Sequence, residues 1–448
     1  MPPRWDRARL RRAAASILST GLRAADPRRL VRASLARDGP RLRIAGRPYN
    51  VPGRCVVAAA GKAASQMAAA AEQALGARLD VALAVDSAAT IALHRTRLLL
   101  AGHPVPDARG LAAADELEAL ARGLGVDDLL IVLLSGGASA LLPAPVPGVA
   151  LADKAEMTRQ LLRAGATIGE INTVRKHLSR LKGGGLAAAA APARVACLVL
   201  SDVVGDDLST IASGPTVPDP TTYAEALAVL ARHGLAASAP APVRRHLERG
   251  ARGEHPETPK AGDPLFGQVW TRIVGSNRLS LAAAAGEARR QGLRPLVLTS
   301  RLEGEAREVA RVLSAILRGC VEDGRPAAPP VCLLAGGETT VTVRGQGQGG
   351  RNQELATAAA RPLASFPVPA VLAALATDGV DGIGGAAGGV VDDQTLRRAA
   401  QLGLAPVETF LGENDSRAFL APLGDLIVTG PTGTNVVDLT VLLAGRRA

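Results

Sequence analysis

The sequence predicts an α/β protein of two domains with largely parallel sheets. Three observations carry that prediction. Short apolar runs alternate with helical stretches along most of the chain, the pattern of repeated βα units. The runs end at Gly, Ser or Asp turns rather than in long loops. The unusual polar residues fall just after them: Lys62, Ser135, Gly136, Gly137, Ser139, Asp202, Asn277, Asp378 and Asp381. In open α/β sheets, ligands sit beyond the carboxyl ends of the strands. The recurrence over five strand ends therefore points to one polar cleft assembled from many loops.

Taken in order, residues 4–25 are helical in pattern and stop at Asp26-Pro27. Residues 54–60 read as a strand ending at Gly61-Lys62, and 63–75 as the helix that follows. Strands are expected at 80–85 and 98–101, the second running into Gly102-His103-Pro104, then a helix at 107–122. Residues 129–134 form a buried strand that ends at Ser135-Gly136-Gly137-Ala138-Ser139. Helices at 152–164 and 172–181 lead to a strand at 195–200, which ends at Ser201-Asp202 ahead of Gly205-Asp206-Asp207. A helix at 224–233 closes this half. Residues 249–264 are polar with three prolines, so a linker is expected within about 249–264, giving domains 1–250 and 265–448.

The second half continues the pattern: strands at 269–274, 295–298, 331–334, 339–343, 369–376 and 425–429, helices at 279–291 and 305–317, and a last strand at 436–443. The runs 331–334 and 339–343 flank Gly336-Gly337-Glu338 like a hairpin.

Composition narrows the function. The chain has 448 residues, enough for sizeable cores, and its apolar runs are too short and interrupted for a transmembrane helix. The net charge of +11 suggests nucleic acid until it is located. Residues 1–47 carry thirteen Arg against three Asp, leaving about +1 for the other 401 residues. With two Tyr, two Trp and four Phe, stacking platforms are scarce as well. No nucleic-acid or membrane partner is expected. The Arg-rich start fits a first domain helix better than an organellar transit peptide. Cys55, Cys197, Cys320 and Cys332 lack metal-ligand spacing, as do the six His, and free thiols fit a cytoplasmic protein.

The richest stretch is 335–354, AGGETTVTVRGQGQGGRNQE. Gly345, Gly347, Gly349 and Gly350 precede a helix start, where backbone N–H groups and the helix dipole favour an anion, and Arg351 adds a charged fork. A plain connecting loop is the competing reading. The spacing Gly345-x-Gly347-x-x-Gly350 also matches a dinucleotide fingerprint, but about 20 residues on the chain reads Ala370 to Ala374, without the required acid. Asp378 and Asp381 on one loop could hold Mg²⁺ or take a proton from a hydroxyl; turn-shaping is the alternative. Asp202, Asp206 and Asp207 pose the same choice. Lys62 could neutralise a phosphoryl group, although it is no Walker A lysine, since Ala63 follows it. Ser135 to Ser139 could cradle phosphate. These are the parts of phosphoryl transfer. The acceptor is not legible from them.

The motifs resemble those of the glycerate 2-kinases, the class II or MOFRL family. AGHPVPD, SGGASALLPAP, INTVRKHLSRLKGG and SDVVGDDLSTIASGPTVPDPTT carry the resemblance in the first half. VGSN, RLEGEAREVA, GGETTVTVRGQGQGGRNQE, TDGVDG and GDLIVTGPTGTNVVDL carry it in the second. It implies a Rossmann-like N-terminal domain, a smaller C-terminal MOFRL-type domain, and an active site in the cleft between them. It also implies ATP- and Mg²⁺-dependent phosphorylation of D-glycerate to 2-phosphoglycerate, and it allows a homodimer. By matching motif, Lys62 and Arg351 would form a cationic clamp, Asp378 the catalytic acid residue and Asp202 a cleft carboxylate. Ser135, Gly136, Gly137 and Ser139, with Asn277, would face the nucleotide, and Asp378 and Asp381 the metal. Ala59 and Ala138 stand where the family commonly has Gly, and Val204 where it often has Pro; a positive φ at Ala138 would cost roughly 1 kcal/mol. The alternative is an NAD(P)H-dependent hydroxypyruvate reductase, a label that members have also carried.

Overall fold

The computed structural model describes residues 5–39 and 41–446. It divides into an N-terminal unit, Pro27–Val274, and a C-terminal unit, Gly275–Ala448 joined by Met1–Asp26.

The N-terminal unit opens with a small antiparallel sheet, β1 (Leu35–Asp38), β2 (Arg41–Ile44) and β3 (Arg47–Asn50), which the sequence reading did not anticipate. Its main sheet holds β4 (Cys55–Ala60), β5 (Val81–Asp86), β6 (Thr96–Leu100), β7 (Leu129–Leu134), β8 (Arg194–Leu200) and β9 (Val269–Gly275) in the order β6-β5-β4-β7-β8-β9. The β6-β5, β5-β4, β4-β7 and β7-β8 ladders are all parallel. Every residue of β4 and β7 is buried, as expected for central parallel strands covered on both faces. The helix Ala64–Leu75 packs its alanines on β4 and β5.

Register determines what meets at the sheet's end. Ala60 pairs with Leu134 and Leu134 with Val199. The residues that follow, Gly61-Lys62, Ser135-Gly136-Gly137 and Ser201-Asp202, therefore emerge side by side at one edge.

The C-terminal unit has a mixed sheet, and here the largely parallel expectation is refined. Its strands are β10 (Arg294–Leu302), β11 (Val331–Gly337), β12 (Ala370–Ala376), β13 (Gly388–Asp392), β14 (Leu426–Ile427) and β15 (Asp438–Ala444), in the order β10-β11-β15-β12-β13-β14. Only β10-β11 is parallel. Alternation along β15 serves two cores: Leu442 and Ala444 face the helices Ala306–Glu322 and Arg351–Leu363, whereas Leu439, Val441 and Leu443 face Arg7–Ala24 and Asn277–Arg290.

Two domain assignments change. The first helix, Arg7–Ala24, covers the C-terminal unit's sheet through Leu10, Ala14, Ile17 and Leu18. Its arginines are used there: Arg7 pairs with Asp393 and Arg11 with Asp392 and Asp425. The expected linker is also part of a unit. Pro259 accepts from the Asp219 N–H at 2.9 Å, Thr258 donates to Asp219, and β9 completes the sheet beyond β8. Buried Asp219 needs those partners, so polar, proline-containing chain is held in place. The run 339–343 is not a strand; it contributes one bridge, Glu305 to Thr340.

Candidate active site

In the N-terminal unit, three neighbouring parallel strands deliver the predicted residues together. The Lys62 N–H donates to the Gly136 carbonyl at 2.8 Å, and the Ala63 N–H to Ser135 Oγ at 3.0 Å, which locks the β4 and β7 turns to each other. Gly136 lies against Asp202: a Cβ there would sit 1.9 Å from a carboxylate oxygen. Gly137 has φ +87°, and a Cβ on it would lie 3.0 Å from the His103 ring and 3.1 Å from Lys62 Cγ. Glycine at both positions is a close-approach requirement. Ala138 starts the short helix that follows with no positive φ, so the expected cost at that position does not arise. Ser139 Oγ shares a 2.8 Å hydrogen bond with Ser213 Oγ. Asp206 (φ +60°) and Asp207, which accepts from the Ser209 N–H and the Thr210 hydroxyl, shape the loop after Asp202.

Beside this turn lies a cavity of about 440 Å³ lined by His103, Gly137, Ser139, Lys154, Arg175 and Lys182 among others. Sequence reading singled out none of its cations, although Arg175 and Lys182 lie inside INTVRKHLSRLKGG. Burial, followed by the Lys62 charge, lowers the His103 pKa and favours the neutral imidazole. Burial likewise lowers Lys182, to about 7, with Arg175 adding to it, and takes Lys154 well below the ordinary lysine value.

In the C-terminal unit, the glycine-rich loop is committed to the protein itself. The Arg344 and Gly345 N–H groups donate to Asn414 Oδ1, that of Gly347 to the Glu413 carbonyl, and that of Gln348 to Asp415. A Cβ at Gly345 or Gly347 would lie 2.4 or 2.3 Å from that same segment. The start of the helix Arg351–Leu363 holds an anion, but it is Asp381: Oδ1 accepts from the Asn352 N–H at 3.0 Å and Oδ2 from the Gln353 N–H at 2.8 Å. The Asn352 and Gln353 side-chain amides complete the shell. With four donors on a 2% exposed carboxylate, Asp381 is a helix cap and not an available metal ligand, which corrects its sequence reading. The loop is no dinucleotide cradle either. No strand feeds it, and the amides of Arg344, Gly345, Gly347 and Gln348 are taken.

Arg351 is oriented by an acid that sequence reading missed. Nε donates to Asp438 Oδ2 at 2.6 Å, Nη2 to Oδ1 at 3.0 Å, and Nη1 to Glu338 at 2.6 Å. Asp438 heads β15, level with Gly337 and Ala376, because β15 runs antiparallel to β11 and β12. Only the isolated acid following GPTGTN could have signalled it. Asp378 is half-buried beyond β12; Oδ1 accepts from the Val380 N–H at 3.0 Å, and among the described residues no hydrogen bond engages Oδ2. Asn277 is buried and donates to the Val436 and Asp438 carbonyls, tying its helix to β15. That is a packing role for its amide nitrogen, while Oδ1 has no hydrogen bond among the described residues.

Mg²⁺ uses one or two carboxylates plus substrate phosphates rather than an all-protein cage. No cluster of three or more His, Cys, Asp or Glu among the described residues could hold a metal, and the single carboxylate of Asp378 fits that lighter requirement. No helix among them is long and apolar enough to cross a membrane.

Comparison with known proteins agrees along nearly the whole chain. Residues 13–248 match a domain of unknown function (DUF4147), and residues 331–438 match the MOFRL family. The chain is 40% identical over 428 residues to the glycerate 2-kinase of Pyrococcus horikoshii, covering 95% of this chain and 96% of that one. It is 43% identical to an Agrobacterium vitis protein named for hydroxypyruvate reduction, over 93% and 94% of the two chains. The crystal structure of a glycerate kinase from Thermotoga maritima superposes with a TM-score of 0.87 at 36% identity, covering 97% of this chain and 99% of that chain.

Proposed function

We propose that this chain, which belongs to the MOFRL family of glycerate kinases, is an ATP-dependent kinase that phosphorylates D-glycerate at the 2-hydroxyl. The observation that carries the reading is the convergence of Lys62, the Gly136-Gly137 turn and Asp202 at the ends of three adjacent parallel strands. Phosphoryl transfer asks mainly for positioning and charge stabilisation, and this arrangement supplies both. In the proposed reaction the 2-hydroxyl oxygen bonds to the γ-phosphorus as its bond to the ADP oxygen breaks. The hydroxyl proton passes to a carboxylate, for which Asp378 is the candidate.

Lys62 neutralises charge on the phosphoryl group in flight. The glycine turn lets phosphate approach backbone without meeting a Cβ, with Ser135 and Ser139 holding its two ends. Arg351, aimed by Asp438, is the second cation. Mg²⁺ would be held by Asp378 together with the phosphates of ATP, and the ion would offset phosphate charge when bound.

The test is a paired assay on one purified sample. D-glycerate, ATP and Mg²⁺ should yield 2-phosphoglycerate by ³¹P NMR, while hydroxypyruvate with NADH or NADPH should show no cofactor oxidation. Oxidation without phosphorylation would overturn the reading in favour of the reductase. Formation of 3-phosphoglycerate would overturn the assignment of the hydroxyl.

A further inference from the structure

The cavity beside the glycine turn carries charge that nothing in the N-terminal unit balances. Of its cations, Lys154 and Lys182 are fully enclosed, 6% and 3% exposed, and their ammonium groups reach only carbonyl oxygens. Lys154 donates to Pro143 and Leu178, and Lys182 to Ser139 and Leu142. Arg175 is mostly buried and has no hydrogen bond or ion pair to any described residue; burial alone lowers its pKa. Arg159, at the margin, is paired with Glu156. No carboxylate lines the cavity. Buried cations are ordinarily paired, because desolvating a charge without compensation costs several kcal/mol. Three basic side chains around one space without a carboxylate, one of them an arginine with no partner, are the mark of an absent polyanion that would hold all three charged.

Size and walls narrow its class. A volume near 440 Å³ far exceeds a three-carbon acid. The lining also has an apolar part: Val105 and Leu162, 68% and 60% exposed, together with Leu151. A monocarboxylate would answer one of the three charges and leave those apolar walls without a partner. A nucleoside polyphosphate answers both features, its phosphates at Arg175 and its base against Val105 and Leu162.

We infer that this cavity is the nucleotide pocket, with Arg175, Lys182 and Lys154 holding the polyphosphate and Val105 and Leu162 flanking the base. The inference rests on the kinase reading and adds to it the residues that bind the donor. The loop carrying Gly137 and Ser139 would then pass the terminal phosphate towards Lys62, since both the loop and the cavity border His103.

The test uses the full chain and two probes, ADP and D-glycerate, each titrated alone by calorimetry. Arg175→Gln should weaken ADP at least tenfold and D-glycerate less than twofold, with Arg175→Lys recovering part of the loss. Leu162→Trp changes an exposed helix position and safeguards against a misfolded variant. Its indole fluorescence should respond to ADP and to inorganic tripolyphosphate competing with it, and not to D-glycerate. Unchanged ADP affinity in a folded Arg175→Gln protein would overturn the assignment. So would a selective loss of D-glycerate binding, which would make this the acid's carboxylate site. Both results are distinct from failure of the kinase reading, which the wild-type product assay decides.

Discussion

Arg351 grips Asp438 through two parallel hydrogen bonds, of 2.6 and 3.0 Å, and so presents its remaining edge in one orientation. Burial raises the Asp438 pKa to about 6, against the opposing pull of Arg351. At pH 7 the pair is ionised. As pH falls through about 6, Asp438 takes a proton and Arg351 loses its charged partner. Turnover should therefore show an acid limb with an apparent pKa near 6, and Asp438→Asn should be impaired and flat across that limb. Stability follows the opposite sign. The folded state binds this proton more tightly than the unfolded chain, so the carboxylate's cost to stability appears as pH rises from about 4 to about 6. A pH–rate profile of both proteins checks the first statement.

Lys62→Ala and Arg351→Ala should each lose about 3–4 kcal/mol of transition-state stabilisation, comparable to deleting one electrostatic donor. Steady-state kinetics with ATP and D-glycerate measure this. Near-normal turnover in either variant removes that residue from the catalytic set.

Asp381 and Asp378 should separate cleanly. Removing the cap in Asp381→Ala strands buried amide donors and should lower stability by about 2–3 kcal/mol in urea unfolding. Asp378→Asn should leave stability within about 0.5 kcal/mol, as expected away from a buried network, and raise the Mg²⁺ concentration needed for half-maximal activity. An unchanged Mg²⁺ requirement in Asp378→Asn would remove it as a ligand.

Gly136→Ala should abolish activity in a protein that still folds, because its methyl would enter the space of the Asp202 carboxylate. Gly148→Ala is the control for backbone strain: φ there is positive, as it is not at Gly136, and nothing lies within 4 Å of the added methyl. Circular dichroism and turnover on the two variants separate a crowded site from backbone strain.

Much of the fold was legible because it is written locally. The runs Cys55–Ala60, Leu129–Leu134 and 195–200 are apolar throughout, and the turns that end them carry the glycines and charges of the candidate site. The motif around Gly345–Gly350 misled for an equally physical reason. A glycine-rich loop before a helix is an anion site whichever anion fills it, and here the anion is Asp381, 30 residues further along. The polar, proline-containing stretch at 249–264 looked like a linker because its partner, buried Asp219, lies far back in the chain.

The amino-acid order by itself determined the long buried strands of the main sheet, which turns must hold glycine, and which family the motifs resemble, since these depend on neighbours a few residues apart. Tertiary structure alone decided three other matters. It placed the helix Arg7–Ala24 on the C-terminal unit's sheet, aimed Arg351 with Asp438, and gathered Lys154, Arg175 and Lys182 around one cavity without an acid. Each depends on groups brought together from distant positions, where burial sets the strength of a charge and spacing along the chain carries no trace of it.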